Sequence, residues 1–367
     1  MKHRSLRRTV SLFAAVGLLL AACGEADDED ATATTAEGGG AAADFQACLV
    51  TDTGGVNDDS FNELGWAGIT QGEDDLGIQG AVLESQSDAD YDPNIQTFID
   101  QGCDLIVTQG FLLGDATAAA AEANPDQKFA IIDVDFFDTD AGEDVTYDNV
   151  RELTYSTDQA AFMAGYLTAG MTQTGKIGTY GGINIPTVTI FMKGLEAGIE
   201  YYNEQKGTAV TLVGWSTEAD DGLFTGDFED QTKGRATTDQ LLDERADIIL
   251  PVAGPVGAGS IEAVRARGNT AKLIWVDTDG CVSVAQACDL FLTSVMKNIA
   301  VSVFDTISAA VDGDFEGGLY VGTLENEGVQ IAPFHEFEDD VPAELAAEVE
   351  TIRDQIIAGD LETTLGG

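Results

Sequence analysis

Short apolar runs bounded by Gly, Asn or Asp alternate along the chain with longer stretches whose apolar positions recur at helical spacing. The runs at 45–51, 81–84, 105–109 and 129–132 predict strands, with helices between them at 60–75, 93–101 and 116–124. A second series repeats the pattern, with strands at 176–180, 210–215, 248–251 and 273–276 and helices at 157–171, 186–203, 232–245 and 260–267. Such alternation predicts an α/β protein of doubly wound parallel sheets, and its recurrence predicts two lobes. Later runs at 291–295, 319–322 and 329–333, with a helix at 296–311, carry the chain back and forth, so three crossings form a hinge. The expected N-terminal lobe is 44–155 plus 278–312, and the C-terminal lobe 156–277 plus 313–367. Ligands of parallel sheets sit beyond the carboxyl ends of the strands, so two facing lobes place these ends around one cleft.

The first 22 residues resemble a bacterial lipoprotein leader: Lys2, Arg4, Arg7 and Arg8, an apolar run at 10–20, then Leu20-Ala21-Ala22-Cys23. A run of eleven residues is too short for a bilayer-spanning helix, which takes about 20. That likeness implies cleavage before Cys23 and a lipid anchor on Cys23, placing the protein on the extracytoplasmic face of the cell membrane. Residues 24–43 contain no aromatic or branched aliphatic side chain. They cannot build a core, so 23–43 reads as a disordered tether.

Charge narrows the partners. With 65 Asp and Glu against 17 Lys and Arg, the net charge is −48. That field excludes nucleic acid as a partner, disfavours phosphorylated ligands and favours an uncharged or cationic one. It also suits a salt-rich medium, where screening relieves self-repulsion. Four cysteines remain beyond Cys23, an even number in a compartment that permits disulfides. Cys48 and Cys103 fall at the starts of two strands expected to be neighbours, and Cys281 and Cys288 are close in sequence. The favoured pairings are therefore 48 with 103 and 281 with 288. No cysteine spacing matches a metal site, and His335 is the only histidine beyond His3. Neither a metal nor a cofactor is expected, and the protein reads as a monomer.

Candidate chemistry follows the strands. After the first strand comes Asp52, then Gly54-Gly55, and Ser60 with Glu63 has capping-box spacing for the next helix. Phe61 and Asn62 then occupy that helix's first turn, where Phe61 serves either as an aromatic face on the cleft or as a staple on its own lobe. The fourth strand leads into Asp133, whose carboxylate can accept two hydrogen bonds from a vicinal diol. In the second lobe Phe228 precedes Asp230, a helix-cap candidate. Two rings, one from each lobe, would sandwich a flat heterocycle, each face contributing about 1–3 kcal/mol by analogy with base stacking. Gly254, with Gly257 and Gly259, lacks the setting of a dinucleotide fingerprint and reads as close backbone approach to an uncharged ligand. Asp277 sits at the expected crossover. Lys297 opens the later helix, where it would bond a base or hold a cleft carboxylate.

These residues resemble the basic membrane protein family, the nucleoside-binding lipoproteins of bacterial ABC importers, from about Ala47 to Pro333. The likeness is carried by Asp52-Thr53-Gly54-Gly55, Asp59-Ser60-Phe61-Asn62, Gln109-Gly110-Phe111, Thr293-Ser294-Val295-Met296-Lys297, and Phe228, Asp230, Lys233 and Gly234 at their present spacing. It implies a type I periplasmic-binding-protein fold, a purine nucleoside as ligand, a permease as partner and no catalysis. Phe61 and Phe228 would stack on the base, while Asp52, Asn62, Asp133 and Asp277 would bond base or sugar. The cysteine-flanked loop after Gly280 and the residues between Trp215 and Phe228 depart from the family pattern and bear on ligand identity. Rival readings are a binding protein for a sugar or other metabolite, or a carboxylate-based nucleoside hydrolase.

Overall fold

The structure is a computed structural model describing residues 42–138 and 143–364. The expected leader, Cys23 and nearly all of the expected tether lie outside the described residues. Strand β1 (Gln46–Thr51) is followed by α1 (Phe61–Leu76), β2 (Gln79–Glu84), α2 (Tyr91–Gln101), β3 (Leu105–Gln109), α3 (Gly114–Ala123) and β4 (Lys128–Ile132). A short antiparallel pair, β5 (Phe137–Asp138) and β6 (Glu143–Asp144), leads to β7 (Val150–Tyr155). The chain then builds α4 (Thr157–Met171), β8 (Lys176–Gly181), α5 (Pro186–Lys206), β9 (Thr211–Val213) and the small pair β10 (Trp215–Ser216) and β11 (Asp221–Gly222). Next come α6 (Gln231–Asp243), β12 (Ile248–Val252), α7 (Ala258–Ala266), β13 (Lys272–Asp277), the single turn α8 (Gly280–Ser283) and β14 (Phe291–Lys297). It closes with α9 (Ile299–Asp312), β15 (Gly318–Gly322), β16 (Val329–Ile331) and α10 (Ala343–Ile357).

Two six-stranded sheets result, ordered β15-β7-β4-β3-β1-β2 and β16-β14-β13-β12-β8-β9. All pairings in the first are parallel, and in the second only β16 runs against its neighbour. The two-lobed, doubly wound α/β expectation holds. Strand β1 shows why: Ala47 and Leu49 pack with Ile69 of α1 and Val303 of α9 on one face, while Cys48 and Val50 pack with Phe98 of α2 and Ala121 of α3 on the other. Being covered on both faces, such a strand is apolar throughout rather than alternating. Disulfides join Cys48 to Cys103 and Cys281 to Cys288, the favoured pairings.

The lobe boundaries differ from expectation. β14 pairs with β13 and β16, so the second sheet keeps the chain until Lys297, and the crossing expected at 277–278 falls at 297–299. Likewise β15 pairs with β7 in the first sheet, so the last crossing follows Gly322 instead of preceding 313. Lys297 therefore ends a strand and does not open the helix, which begins at Ile299. Among the elements that went unforeseen are β7 and α10. β7 carries Arg151 and Glu152 and so reads as polar, yet Glu152 is buried and accepts the Phe136 amide at 3.1 Å. α10 buries Leu345, Val349, Ile352 and Ile356, a helical stripe beyond the last segment assigned from sequence.

One irregularity shapes the cleft. β12 follows β8 from Ile248 to Val252, but pairs with β13 only at Ile248 and Ile249. Pro251 has no N–H to give a ladder, so β12 and β13 part toward their carboxyl ends, next to Gly254.

Candidate functional site

The carboxyl ends of both sheets face a single cleft lined by Asp52, Phe61, Asn62, Asp133, Phe228, Gly254, Asp277 and Lys297, all eight residues that the sequence singles out. Phe111, Ile185, Thr187, Val188, Phe191 and Pro255 also line it and were not foreseen. Phe191 lies in the second turn of a helix and reads as core. Phe111 stood in a quoted motif, but nothing local gave it a role.

Helix α1 delivers Phe61 and Asn62. Its start is fixed by Asp58, whose carboxylate accepts the amides of Ser60 at 3.0 Å, Asn62 at 2.9 Å and Glu63 at 3.0 Å. Ser60, the expected cap, makes no cap bond; its hydroxyl reaches across to the Val276 carbonyl at 3.3 Å and the Asp277 carboxylate at 3.4 Å. The capping box is thus replaced by an aspartate two residues earlier, leaving the serine free to touch the other lobe. Asp230 does cap α6, accepting the Thr232 amide at 2.9 Å. Asp227 accepts the amides of Glu229 and Asp230 and pairs with Lys233, which steadies the loop bearing Phe228. The Phe228 ring lies against Gly182 so closely that a Cβ there would overlap it.

Polar groups gather at two ends. At one, Lys297 is 3% exposed, with its ammonium 2.6 Å from Asp133 Oδ2 and 3.7 Å from Asp277 Oδ1. The second distance is an ion pair too long for a hydrogen bond, and Asp277 Oδ1 is buried without a hydrogen-bond partner. The ammonium also lies 5.4 Å from the Phe61 ring centroid and 5.1 Å from that of Phe191. Asp133 and Asp277 each follow or end a strand with φ of 64° and 66°, left-handed values that a non-glycine residue adopts at a cost of about 1 kcal/mol. Burial pushes the Asp277 carboxyl up to about 6 against the pull of Lys297.

At the other end Asn62 Nδ2 donates to Asp52 Oδ1 at 3.0 Å, while Asn62 Oδ1 is buried without a partner. Burial pushes the Asp52 carboxyl up to about 8, opposed by the Asn62 bond and reinforced by Asp58, Asp133 and Glu229. Burial likewise raises Asp58 to about 6 in spite of the helix amides it accepts. Gly110, at φ 112°, sits against Asp52 with no room for a side chain. Away from the cleft, Asp279, Cys281 and His335 cluster, but the Cys281 sulfur is committed to its disulfide.

Two parallel-sheet lobes joined by three crossings and closing on a cleft of aromatic and carboxylate groups define a solute-binding protein. The chain belongs to the Bmp family, described as "ABC transporter substrate-binding protein PnrA-like", whose pattern matches residues 45–362. It is 30% identical over 381 residues to the ABC transporter nucleoside-binding protein BmpA of Lactococcus lactis subsp. cremoris, covering 98% of this chain and 99% of that one. Basic membrane protein A of Borreliella burgdorferi is 31% identical over 311 residues, 84% of each chain. A crystal structure of an ABC transporter solute-binding protein from Aeropyrum pernix K1 superposes with a TM-score of 0.77 at 25% identity, covering 87% of this chain and 92% of that one. The protein is thus the substrate-binding component of an ABC transporter, with a small-molecule ligand and a permease as partners, and not an enzyme. Among the described residues no helix is long and apolar enough to cross a membrane.

Proposed function

We propose that the protein captures a nucleoside, with a purine base, outside the cell and hands it to an ABC permease. The observation that carries this reading is the convergence of Phe61 and Phe228, one ring from each lobe, on a cleft whose polar ends are carboxylates. A flat base would stack between the rings, and Asp133 and Asp277, already joined through Lys297, would accept the ribose hydroxyls. Gly254 would let the backbone approach the ligand. The nucleoside-binding relative supports the same assignment. Cys23 would hold the monomer to the membrane by its lipid, with residues 24–43 as the tether. Calorimetric titration of the purified protein with adenosine, guanosine, inosine, cytidine and uridine, alongside ribose, tests the reading. Saturable heat with purine nucleosides and none with ribose is the expected outcome; heat with ribose alone, or with none of them, would sink it.

A further inference from the structure

Four carboxylates converge on the cleft, those of Asp52, Asp58, Asp133 and Asp277, and among the described residues the only cation lining it is Lys297. Lys297 is committed to Asp133 and Asp277. Asp58 is satisfied by three amides at the start of α1, where the helix dipole also favours a negative charge. Asp52 has neither kind of support. It is 7% exposed, and among the described residues the only side chain donating to it is Asn62 and no cation stands within ion-pair distance of it.

The groups facing Asp52 make matters worse for a negative charge. They are Asp58 from the loop before α1, Asp133 beyond β4 and Glu229 before α6; Tyr91 of α2, a neutral phenol with Asp88 and Asp90 as neighbours, brings no positive charge. Only Asp133 among them has its charge balanced, by Lys297. A buried carboxylate so placed relieves its desolvation by taking up a proton.

The geometry points to a proton resident on Asp52: the unliganded cleft holds this carboxyl as the neutral acid, and its O–H donates a hydrogen bond to the ligand. The second half rests on the nucleoside reading; the first does not. A neutral Asp52 beside the unpartnered Asn62 Oδ1 presents one donor and one acceptor side by side. That edge complements an acceptor next to an N–H, as offered by N1 and N6–H of a 6-aminopurine; in a 6-oxopurine the order along the edge is reversed, with N1–H beside O6. An ionised Asp52 would offer acceptors only, which still suit N1–H of a 6-oxopurine but repel the N1 lone pair of a 6-aminopurine. The proton therefore serves a 6-aminopurine, whose N1 needs a donor opposite it.

Two measurements test this. Infrared difference spectra of ligand-free wild type against Asp52→Asn should show a protonated-carboxyl C=O stretch at neutral pH that fades as pH passes about 8. Affinity for adenosine should be flat below that pH and fall about tenfold per pH unit above it, whereas Asp52→Asn, whatever its absolute affinity, should show no such fall. Absence of the carboxyl band, or affinity that rises with pH, overturns the assignment. Should the variant not fold, the wild-type affinity profile decides alone. A band with no nucleoside binding at any pH would uphold the resident proton while removing both the ligand bond and the nucleoside reading.

Discussion

Lys297, the last residue of β14 in the second sheet, reaches Asp133 just beyond the end of β4 in the first, ammonium to carboxylate at 2.6 Å, with both side chains buried. The two lobes are thereby tied at the point where the chain crosses between them. Replacing Lys297 by Met keeps the length and removes the charge, leaving Asp133 and Asp277 buried without their cation. Stability should fall by about 3–5 kcal/mol in urea titrations. Adding Asp133→Asn to that variant should restore part of the loss; an equal or greater loss in the double variant would mean that the pair is not coupled.

The Phe228 ring owes its place to the missing side chain at Gly182. Gly182→Ala should displace the ring and weaken binding of the proposed nucleoside ligand by about tenfold, within the range of 1–3 kcal/mol expected for a stacked face, with unchanged far-ultraviolet circular dichroism. Phe228→Ala should cost at least as much, and adding Gly182→Ala to it should then have little further effect.

Asp52, Asp58 and Asp277 hold their protons more tightly folded than unfolded, with folded values near 8, 6 and 6 against an ordinary value of 3.8. The native state therefore binds more protons than the unfolded chain between about pH 4 and pH 8, and stability falls as pH rises through that window. Asp227, Asp289 and Glu348 are shifted the other way, contributing stability above the ordinary carboxylate range that is lost in acid, but they lie toward the surface and weigh less. Unfolding free energy should thus peak in mild acid and decline toward pH 8, and Asp52→Asn should flatten the decline. A wild-type maximum at pH 8 or above would contradict this.

Much of this site was legible because the residues after parallel strands face the cleft whatever the rest of the fold does. Asp52, Asp133, Gly254 and Asp277 needed only strand ends to be found. Lys297 was found for the right neighbourhood but assigned to the wrong element, because whether 291–297 stays in the second sheet depends on pairing with β13 and β16, which its own sequence does not encode. The role of Asp58 was hidden for a different reason. Asp58, Asp59 and Ser60 are all good caps, and only the bond from Ser60 to the opposite lobe decides among them.

The disulfides should differ in worth. Cys48–Cys103 spans 55 residues and ties β1 to the start of β3, whereas Cys281–Cys288 spans 7. On loop-closure entropy their removal should cost about 4 and about 2.5 kcal/mol. Thermal melts of the two double Cys→Ala variants should rank accordingly, and a larger drop for the shorter loop would show that local packing outweighs chain entropy here.

Because α9 and β15 return to the first lobe after the second has been built, neither half of the molecule is a continuous length of chain. A polypeptide stopped at Tyr155 would lack the edge strand that covers β7 and the helix that shields α1. The first lobe therefore stays unfinished until residue 322 is available, and the second waits longer still, for β16.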